Sequence, residues 1–203
     1  MVQRMMNRTA AYLLGMVWGA IPALTVFLCL GPWRRRRLRE RGLESPRLRE
    51  TVLALFWMFC GGMAVLTLTP RWVVWSLVDL LHGYRWNVGD YPFFERGAVN
   101  LKLFQTFRFS SYILLGNLVM FIPFGFFGAL LWRGWTLRRS LLAGLCGVIV
   151  IECCQLCVGR AFDIDDVLLN TLGVLAGFLL WKGLAPETTK AFRVREREES
   201  EWQ

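Results

Sequence analysis

The stretch SLLAGLCGVIVIECCQLCV, residues 140–158, holds 19 consecutive residues of which only Glu152 carries a charge. A bilayer core of roughly 30 Å needs about 20 apolar residues of helix to cross it. Only helices and closed barrels can cross, because lipid offers backbone groups no hydrogen-bond partner. The apolar residues here do not alternate as they do in a barrel strand. The stretch therefore predicts a membrane-spanning helix.

Four more apolar runs of this kind occur on either side of this stretch, at residues 10–31, 51–69, 112–132 and 167–182. Together with residues 140–158 they predict an all-α fold, a polytopic transmembrane helical bundle with five spans. The segment 72–81 begins with a tryptophan and is too short to span a bilayer. We interpret it as an interfacial helix lying at the level of the lipid headgroups.

The distribution of charge divides the chain into three parts. Residues 1–50 form an additional N-terminal span and an Arg-rich loop, residues 51–182 a membrane domain, and residues 183–203 a charged tail. Four consecutive arginines, 34–37, directly follow the first apolar run. They favour a retained membrane anchor over a cleaved signal peptide.

The net charge of +9 raises the possibility of a nucleic-acid partner. We exclude this partner, because the positive charge is concentrated at the ends of the apolar runs, where it orients membrane helices. The positive-inside rule places the Arg-rich loop, the loop at 133–139 and the tail in the cytoplasm. The N-terminus is then outside and the C-terminus cytoplasmic, and the basic loop is also suited to binding anionic lipid.

Glu152 is the most informative position of the sequence. It lies about six residues, or roughly 9 Å, inside the outer end of its span. A carboxylate near mid-membrane costs roughly 2.5–3.5 kcal/mol on insertion scales, so it needs a partner, a proton or a water-filled cavity. Gln155 follows at i+3 and therefore lies on the same side of the helix.

Beyond the end of this span come Arg160 and an acidic run of Asp163, Asp165 and Asp166. Asp163 is a candidate N-cap for the next helix, with Asp166 three positions on. Capping does not need all three carboxylates, so the surplus predicts a partner such as Arg160, a divalent cation, or both. The run lacks the glycine and the downstream glutamate of an EF-hand. We therefore predict no cofactor, with the three aspartates as the only metal-ligand candidates.

Two other spans carry polar or small residues near the same end. Asn117 lies near the outer end of the third span, and Pro123 and Gly125 are expected to interrupt that helix near its middle. Asn170 lies four residues after Asp166, and Gly173 and Gly177 form a small-xxx-small pair that permits close helix packing. The predicted binding cluster consists of Asn117, Glu152, Gln155, Arg160, Asp163, Asp165, Asp166 and Asn170.

This combination of residues resembles a known family. The residues that carry the resemblance are NLVMFIPFG at 117–125, Glu152 with Gln155, Arg160 with DIDD at 163–166, then Asn170 and Gly173, and Leu68-Thr69-Pro70. They are similar to the VanZ-like family over residues 51–182. The resemblance implies a small bacterial multi-span protein of the plasma membrane, and the named member of the family is associated with resistance to the glycopeptide teicoplanin.

Three classes of function stay open. The one that we favour is a non-enzymatic envelope protein whose outer polar pocket binds a lipid or a lipid-linked cell-wall intermediate. The second is an enzyme acting at the outer leaflet on an amphiphile that bears phosphate or carboxylate, with Glu152 as general acid or base and Arg160 holding the anionic group. The third is a transporter component with Glu152 as a protonatable site, although five spans without an internal repeat disfavour a lone monomer.

Overall fold

The computed structural model describes residues 2–70, 73, 97–104, 111–184 and 188–196. Its helices are α1 (Val2–Cys29), α2 (Gly31–Arg39), α3 (Arg47–Leu68), α4 (Ser111–Leu131), α5 (Leu137–Cys157) and α6 (Ile164–Leu184). Its remaining elements are short, namely β1 (Leu43–Glu44), β2 (Val99–Asn100), β3 (Phe162–Asp163), a 3-10 helix (Thr188–Phe192) and β4 (Arg195–Glu196).

Four of these helices, α3 to α6, are long and apolar enough to cross a membrane. Residues 15–29 of α1 meet this test together with α2, to which they are joined at an angle of 40°. The bundle therefore has four spans, or five when this bent pair counts as one. The predicted all-α transmembrane bundle is confirmed, and the chain is a multi-pass membrane protein. The interfacial helix predicted at 72–81 lies outside the described residues except for Val73.

All five predicted spans begin earlier in the structure, α1 at Val2 rather than 10, α3 at Arg47 rather than 51 and α4 at Ser111 rather than 112. The reason is clearest for α5 and α6. α5 begins at Leu137 rather than at residue 140, because Thr136 is its N-cap and accepts a hydrogen bond from the backbone N–H of Arg139 at 3.3 Å. α6 begins at Ile164 rather than at 167. Charged residues fill both first turns, so the apolar pattern alone could not include them.

Among the described helices, the most extensive packing joins α4 to α6, which run in the same direction because Gly173 lies at Leu118 and Gly177 at Ile122. A Cβ added at Gly173 would overlap the carbonyl oxygen of Leu118, and one at Gly177 would overlap that of Ile122. The two glycines therefore let the backbones of α4 and α6 touch, as small-xxx-small pairs do in membranes.

α4 is not interrupted at Pro123 and Gly125, which corrects the expectation from the sequence. It runs as one helix through both residues, although Pro123 withholds one backbone N–H from the helix. Gly125 lies where α6 approaches most closely, since a Cβ there would overlap the carbonyl oxygen of Val174. Packing against α6 thus holds this part of α4 helical.

The apolar core consists of two clusters that share α3 and α4. The first is formed by Met63, Phe121, Val148, Val167 and Val174. The second is formed by Phe27, Leu53 and Leu131. Because all spanning helices contribute to these clusters, the ends of α3, α4, α5 and α6 are held together at one end of the bundle, where the polar side chains lie.

Gly177 and Gly183 lie on the same helix in opposite surroundings, which gives a matched test of this packing. We expect Gly177→Ala to lower the free energy of unfolding by about 1–3 kcal/mol, the usual cost of overpacking. Gly183→Ala should leave it nearly unchanged, because a Cβ there meets no atom within 4 Å among the described residues. Thermal unfolding in detergent, followed by tryptophan fluorescence, measures both. Equal stability of the two variants would contradict the close approach of α4 and α6.

Candidate functional site

The predicted polar residues gather where α3 and α5 end, α6 begins and α4 is in its first half. The segment 97–104 covers the same end. We call this group the polar cluster, and it consists of Asn117, Glu152, Gln155, Arg160, Asp163, Asp165 and Asp166, with Asn100 added by the structure. Asn170 lies one helical turn after Asp166.

Glu152 connects α5 to the start of α6. Its side chain is buried, with the residue only 1% exposed. One carboxyl oxygen, Oε2, accepts a hydrogen bond from the backbone N–H of Asp163 at 3.1 Å. This N–H lies at the N-terminus of α6, where the helix dipole favours negative charge. This hydrogen bond offsets part of the cost of placing the Glu152 carboxylate inside a membrane span.

Asp163 caps α6 and ties it to the segment 97–104. Its Oδ1 accepts the backbone N–H of Asp165 at 2.9 Å, which is the N-cap arrangement. Its Oδ2 accepts a hydrogen bond from Asn100 Nδ2 at 3.0 Å. The parallel pairing of β2 with β3, with Asn100 opposite Asp163, holds the two residues in register.

Asp165 is completely buried and fixes the far end of the same segment. Its Oδ1 accepts a hydrogen bond from the backbone N–H of Phe104 at 2.7 Å. Phe104 has a φ of 64°, a left-handed conformation that costs a residue with a Cβ about 1–2 kcal/mol. The hydrogen bond to the buried carboxylate offsets part of this cost.

Asp166 joins α6 to α4, because its Oδ1 accepts a hydrogen bond from Asn117 Nδ2. The charges of Asp163, Asp165 and Arg160 all act on this carboxyl. Within the described part of the chain, its second oxygen, Oδ2, accepts no hydrogen bond, and neither does Oε1 of Glu152. Two carboxyl oxygens of the polar cluster are thus left for another donor.

Arg160 and Gln155 bind the end of α3. Arg160 Nη1 donates to the carbonyl oxygens of Leu66 and Thr67 at 3.1 and 3.0 Å. Gln155 Nε2 donates to the same Thr67 oxygen at 3.1 Å. In a continuing helix the Leu66 carbonyl would accept the N–H of residue 70, but residue 70 is proline and has none. Arg160 therefore supplies the Leu66 carbonyl with the donor that the backbone after α3 lacks at Pro70.

The turn that carries Arg160 is held by backbone contacts. The N–H of Arg160 donates to the carbonyl oxygen of Gln155 at 2.9 Å, and Gly159 before it has a positive φ of 73°. Gly97 packs on this turn so closely that a Cβ would overlap the carbonyl oxygen of Arg160. Its N–H also donates to the Leu156 carbonyl at 2.8 Å. The segment 97–104 therefore follows the turn between α5 and α6.

Asn170 is buried but stands apart from these hydrogen bonds. The residue is 4% exposed, and its Oδ1 has no hydrogen-bond partner among the residues that the structure describes. The structure thus does not join Asn170 to the other predicted members, although helical spacing puts it on the side of α6 that carries Asp166.

The three aspartates do not converge on a common point. Asp163 faces Asn100, Asp165 faces Phe104 and Asp166 faces Asn117. The described ranges contain no group of three or more His, Cys, Asp and Glu side chains that could hold a metal ion. Their role as metal ligands stays a prediction.

Sequence reasoning missed Asn100, Phe104 and the carbonyls of Leu66 and Thr67 as parts of this site. An asparagine in a long loop carries no signal of its own, and the contacts of Phe104, Leu66 and Thr67 are made by backbone atoms. Pro70 could have indicated Leu66, since a proline four residues after a helical residue leaves the carbonyl of that residue without its backbone donor.

Gln155 and Arg160 share one acceptor, so their effects on stability should not add. We expect Gln155→Met and Arg160→Met each to leave the Thr67 oxygen with one donor, and the double variant to leave it with neither. An unpaired buried acceptor costs about 1–3 kcal/mol, so the double variant should lose more than the sum of the single losses by about this amount. Thermal unfolding of the wild type, the two single variants and the double variant measures the coupling.

Arg133→Met, at the other end of the bundle, is the control. Its loss of stability should add to that of Gln155→Met. Additive losses for Gln155→Met and Arg160→Met would contradict the shared acceptor.

Comparison with known proteins identifies the family of the chain. No curated protein and no solved structure matches the chain. A model of the VanZ/LLP1 family matches residues 52–185, well over half of the chain. The match covers most of α3, all of α4 to α6 and the residues of the polar cluster, and it confirms the resemblance found in the sequence. The chain belongs to the VanZ/LLP1 family.

Proposed function

We propose that the chain is a non-enzymatic membrane protein of the bacterial cell envelope. Its polar cluster binds a lipid or a lipid-linked cell-wall intermediate from the outer side of the plasma membrane, and binding contributes to tolerance of glycopeptides such as teicoplanin. One observation carries the proposal. Buried Glu152 and partly buried Asp166 each use one carboxyl oxygen inside the protein, and among the described residues the other oxygen has no donor.

The unused atoms define the chemistry of the ligand. Carboxylate oxygens accept hydrogen bonds and favour hydroxyl, amide and ammonium donors. Sugar hydroxyls and peptide amides of a lipid-linked cell-wall intermediate supply such donors. A phosphate would be repelled by three aspartates and a glutamate, and the Nη1 donor of Arg160 is engaged by α3.

The depth of the cluster supports an amphiphilic ligand. Glu152 belongs to a helix that qualifies as a span and lies five residues before its end at Cys157. A ligand reaching Glu152 therefore has part of its body within the bilayer. The positive-inside rule supports an outward position for this end, because most Lys and Arg residues lie toward the other end of the spans.

A second candidate function is catalysis, and the observation that favours it is that Glu152 Oε1 has no donor among the described residues. A buried carboxyl with one unused oxygen is also what a general acid or base needs. Arg160 does less for a reaction, because it already stabilises the end of α3. Lipid profiling separates the two functions, since an enzyme changes the composition of the membrane lipids and a binding protein does not.

Glu152→Gln and Asp166→Asn should abolish the glycopeptide tolerance without unfolding the protein. Each amide keeps a carbonyl oxygen, which at position 152 can still accept from Asp163 N–H and at position 166 from Asn117 Nδ2. Each change removes a negative charge and one acceptor, which should weaken ligand binding by about tenfold or more. The measurement is the minimal inhibitory concentration of teicoplanin in a sensitive bacterium that expresses each variant.

Glu40→Gln serves as the charge-matched control, because Glu40 is exposed and forms its ion pair with Arg36 on α2, far from the polar cluster. Cells expressing this variant should keep the wild-type tolerance, with equal amounts of protein in the membrane by immunoblot. If the wild-type protein gives no tolerance, or if Glu152→Gln and Asp166→Asn give the same tolerance as wild type, the proposal is wrong. A lipid profile that changes with the wild type and not with Glu152→Gln would support catalysis instead.

A further inference from the structure

The end of the bundle opposite the polar cluster holds a cavity rich in arginine. It has a volume of about 320 Å³ and lies between α2, the start of α3 and the residue after α4. We call it the arginine pocket, and its basic lining residues are Arg34, Arg37, Arg41 and Arg49. It shares no residue with the polar cluster.

The described residues do not balance the charge of this pocket. Glu50 is its one acidic lining residue in the described part of the chain. Glu50 Oε2 forms an ion pair with Arg34 at 2.5 Å, and Oε1 lies 3.7 Å from Arg49 Nη1 while accepting a hydrogen bond from Ser45 at 2.6 Å. One carboxylate therefore serves two guanidinium groups, and the pocket keeps a net positive charge.

Several guanidinium donors in the pocket are buried and unused. Nε and Nη1 of Arg34 and Nε of Arg49 have no hydrogen-bond partner in the residues that the structure describes. The two side chains are only 19% and 11% exposed, so bulk water does not replace the partner. Leaving such donors unpaired is costly for a charged group. They suit an anionic acceptor that the described residues do not supply.

The surroundings hold these donors in place. The guanidinium of Arg34 lies 3.9 Å from the centre of the Phe27 ring, and Arg49 Nη1 donates to Ser45 Oγ at 3.1 Å. The donors are therefore oriented before a ligand arrives, which lowers the entropic cost of binding. The planar fork of arginine matches the oxygens of phosphate better than any other side chain does.

Aromatic residues place the pocket at the boundary of the membrane. Trp33, Trp57 and Trp132 also line it, and Arg37 lies over the Trp33 ring at 4.7 Å from its centre. Tryptophan prefers the headgroup level of a bilayer. Here a phosphate is offered by the lipid itself, at the depth where the guanidinium donors lie.

We propose that the arginine pocket binds the phosphate group of an anionic phospholipid. A second groove of about 630 Å³, lined in part by Arg35, Arg39 and Arg47, adjoins it across Leu38 and Glu50 and gives room for the rest of the headgroup. Free phosphate offers the same chemistry and is separated from lipid by the experiment. This site is independent of the proposed function of the polar cluster.

Arg37 and Arg36 provide a matched pair of variants on α2. Both are exposed, and Arg37 lines the pocket while Arg36 pairs with Glu40 outside it. Arg37→Gln and Arg36→Gln change the net charge equally, so general attraction to an anionic surface falls equally in both. Arg49→Lys is a third variant, which keeps the charge and removes the buried Nε donor.

The full chain is reconstituted in nanodiscs of phosphatidylcholine alone, of phosphatidylcholine with phosphatidylglycerol, and of phosphatidylcholine with added inorganic phosphate. Thermal unfolding measures stabilisation by a bound anion. Phosphatidylglycerol retained after detergent extraction measures binding directly. Phosphatidylglycerol should raise the unfolding temperature of the wild type and of Arg36→Gln. Binding by Arg37→Gln and Arg49→Lys should be weaker by about tenfold, the loss of one charge-assisted contact.

The three lipid conditions separate lipid binding, phosphate binding and general surface attraction. Stabilisation by inorganic phosphate that Arg37→Gln weakens supports the same phosphate site with free phosphate as its ligand. Equal losses for Arg36→Gln and Arg37→Gln mean surface attraction alone and overturn the proposal. Absence of stabilisation by both phosphatidylglycerol and phosphate overturns it too.

Discussion

The arrangement of the polar cluster depends on a carbonyl group that α3 cannot satisfy. Pro70 ends α3 and gives no N–H to the carbonyl of Leu66, in a part of the bundle where water is scarce. Arg160 provides the missing hydrogen bond from the turn between α5 and α6. A side chain of this length can do so only if that turn lies against the end of α3. One proline thus fixes how three helices meet.

The start of α6 also depends on side chains that satisfy backbone groups, but here the backbone groups are N–H donors. Its free N–H groups need acceptors, and Asp163 and Glu152 provide them from the cap position and from α5. The polar residues of this family signature are therefore first of all partners for helix ends. Among the described residues of the polar cluster, Glu152 and Asp166 each keep one carboxyl oxygen that these helix ends do not use, and the proposed function rests on those two atoms.

The sequence alone was sufficient for the apolar spans and for the position of Glu152, because both depend on local composition. It could not supply the partner of Arg160. An arginine next to three aspartates suggests an ion pair, and no local pattern indicates the backbone carbonyls of Leu66 and Thr67, more than 90 residues earlier in the chain, to which Arg160 Nη1 donates. Asn100 and Phe104 were missed for the same reason, since parallel pairing of β2 with β3 is a long-range contact without a sequence pattern.

The two ends of the bundle differ in what they leave unsatisfied, and this difference separates their ligands. Among the described residues, Glu152 and Asp166 at one end each keep one carboxyl oxygen without a donor, and Arg34 and Arg49 at the other keep guanidinium N–H groups without an acceptor. This contrast supports the phosphate ligand proposed for the arginine pocket and the hydroxyl or amide donors proposed for the polar cluster. Phe121, Val148 and Val174 of the apolar core pack between the two ends. The ligand proposed for each end therefore follows from the polar atoms that this end leaves unsatisfied, not from those of the other.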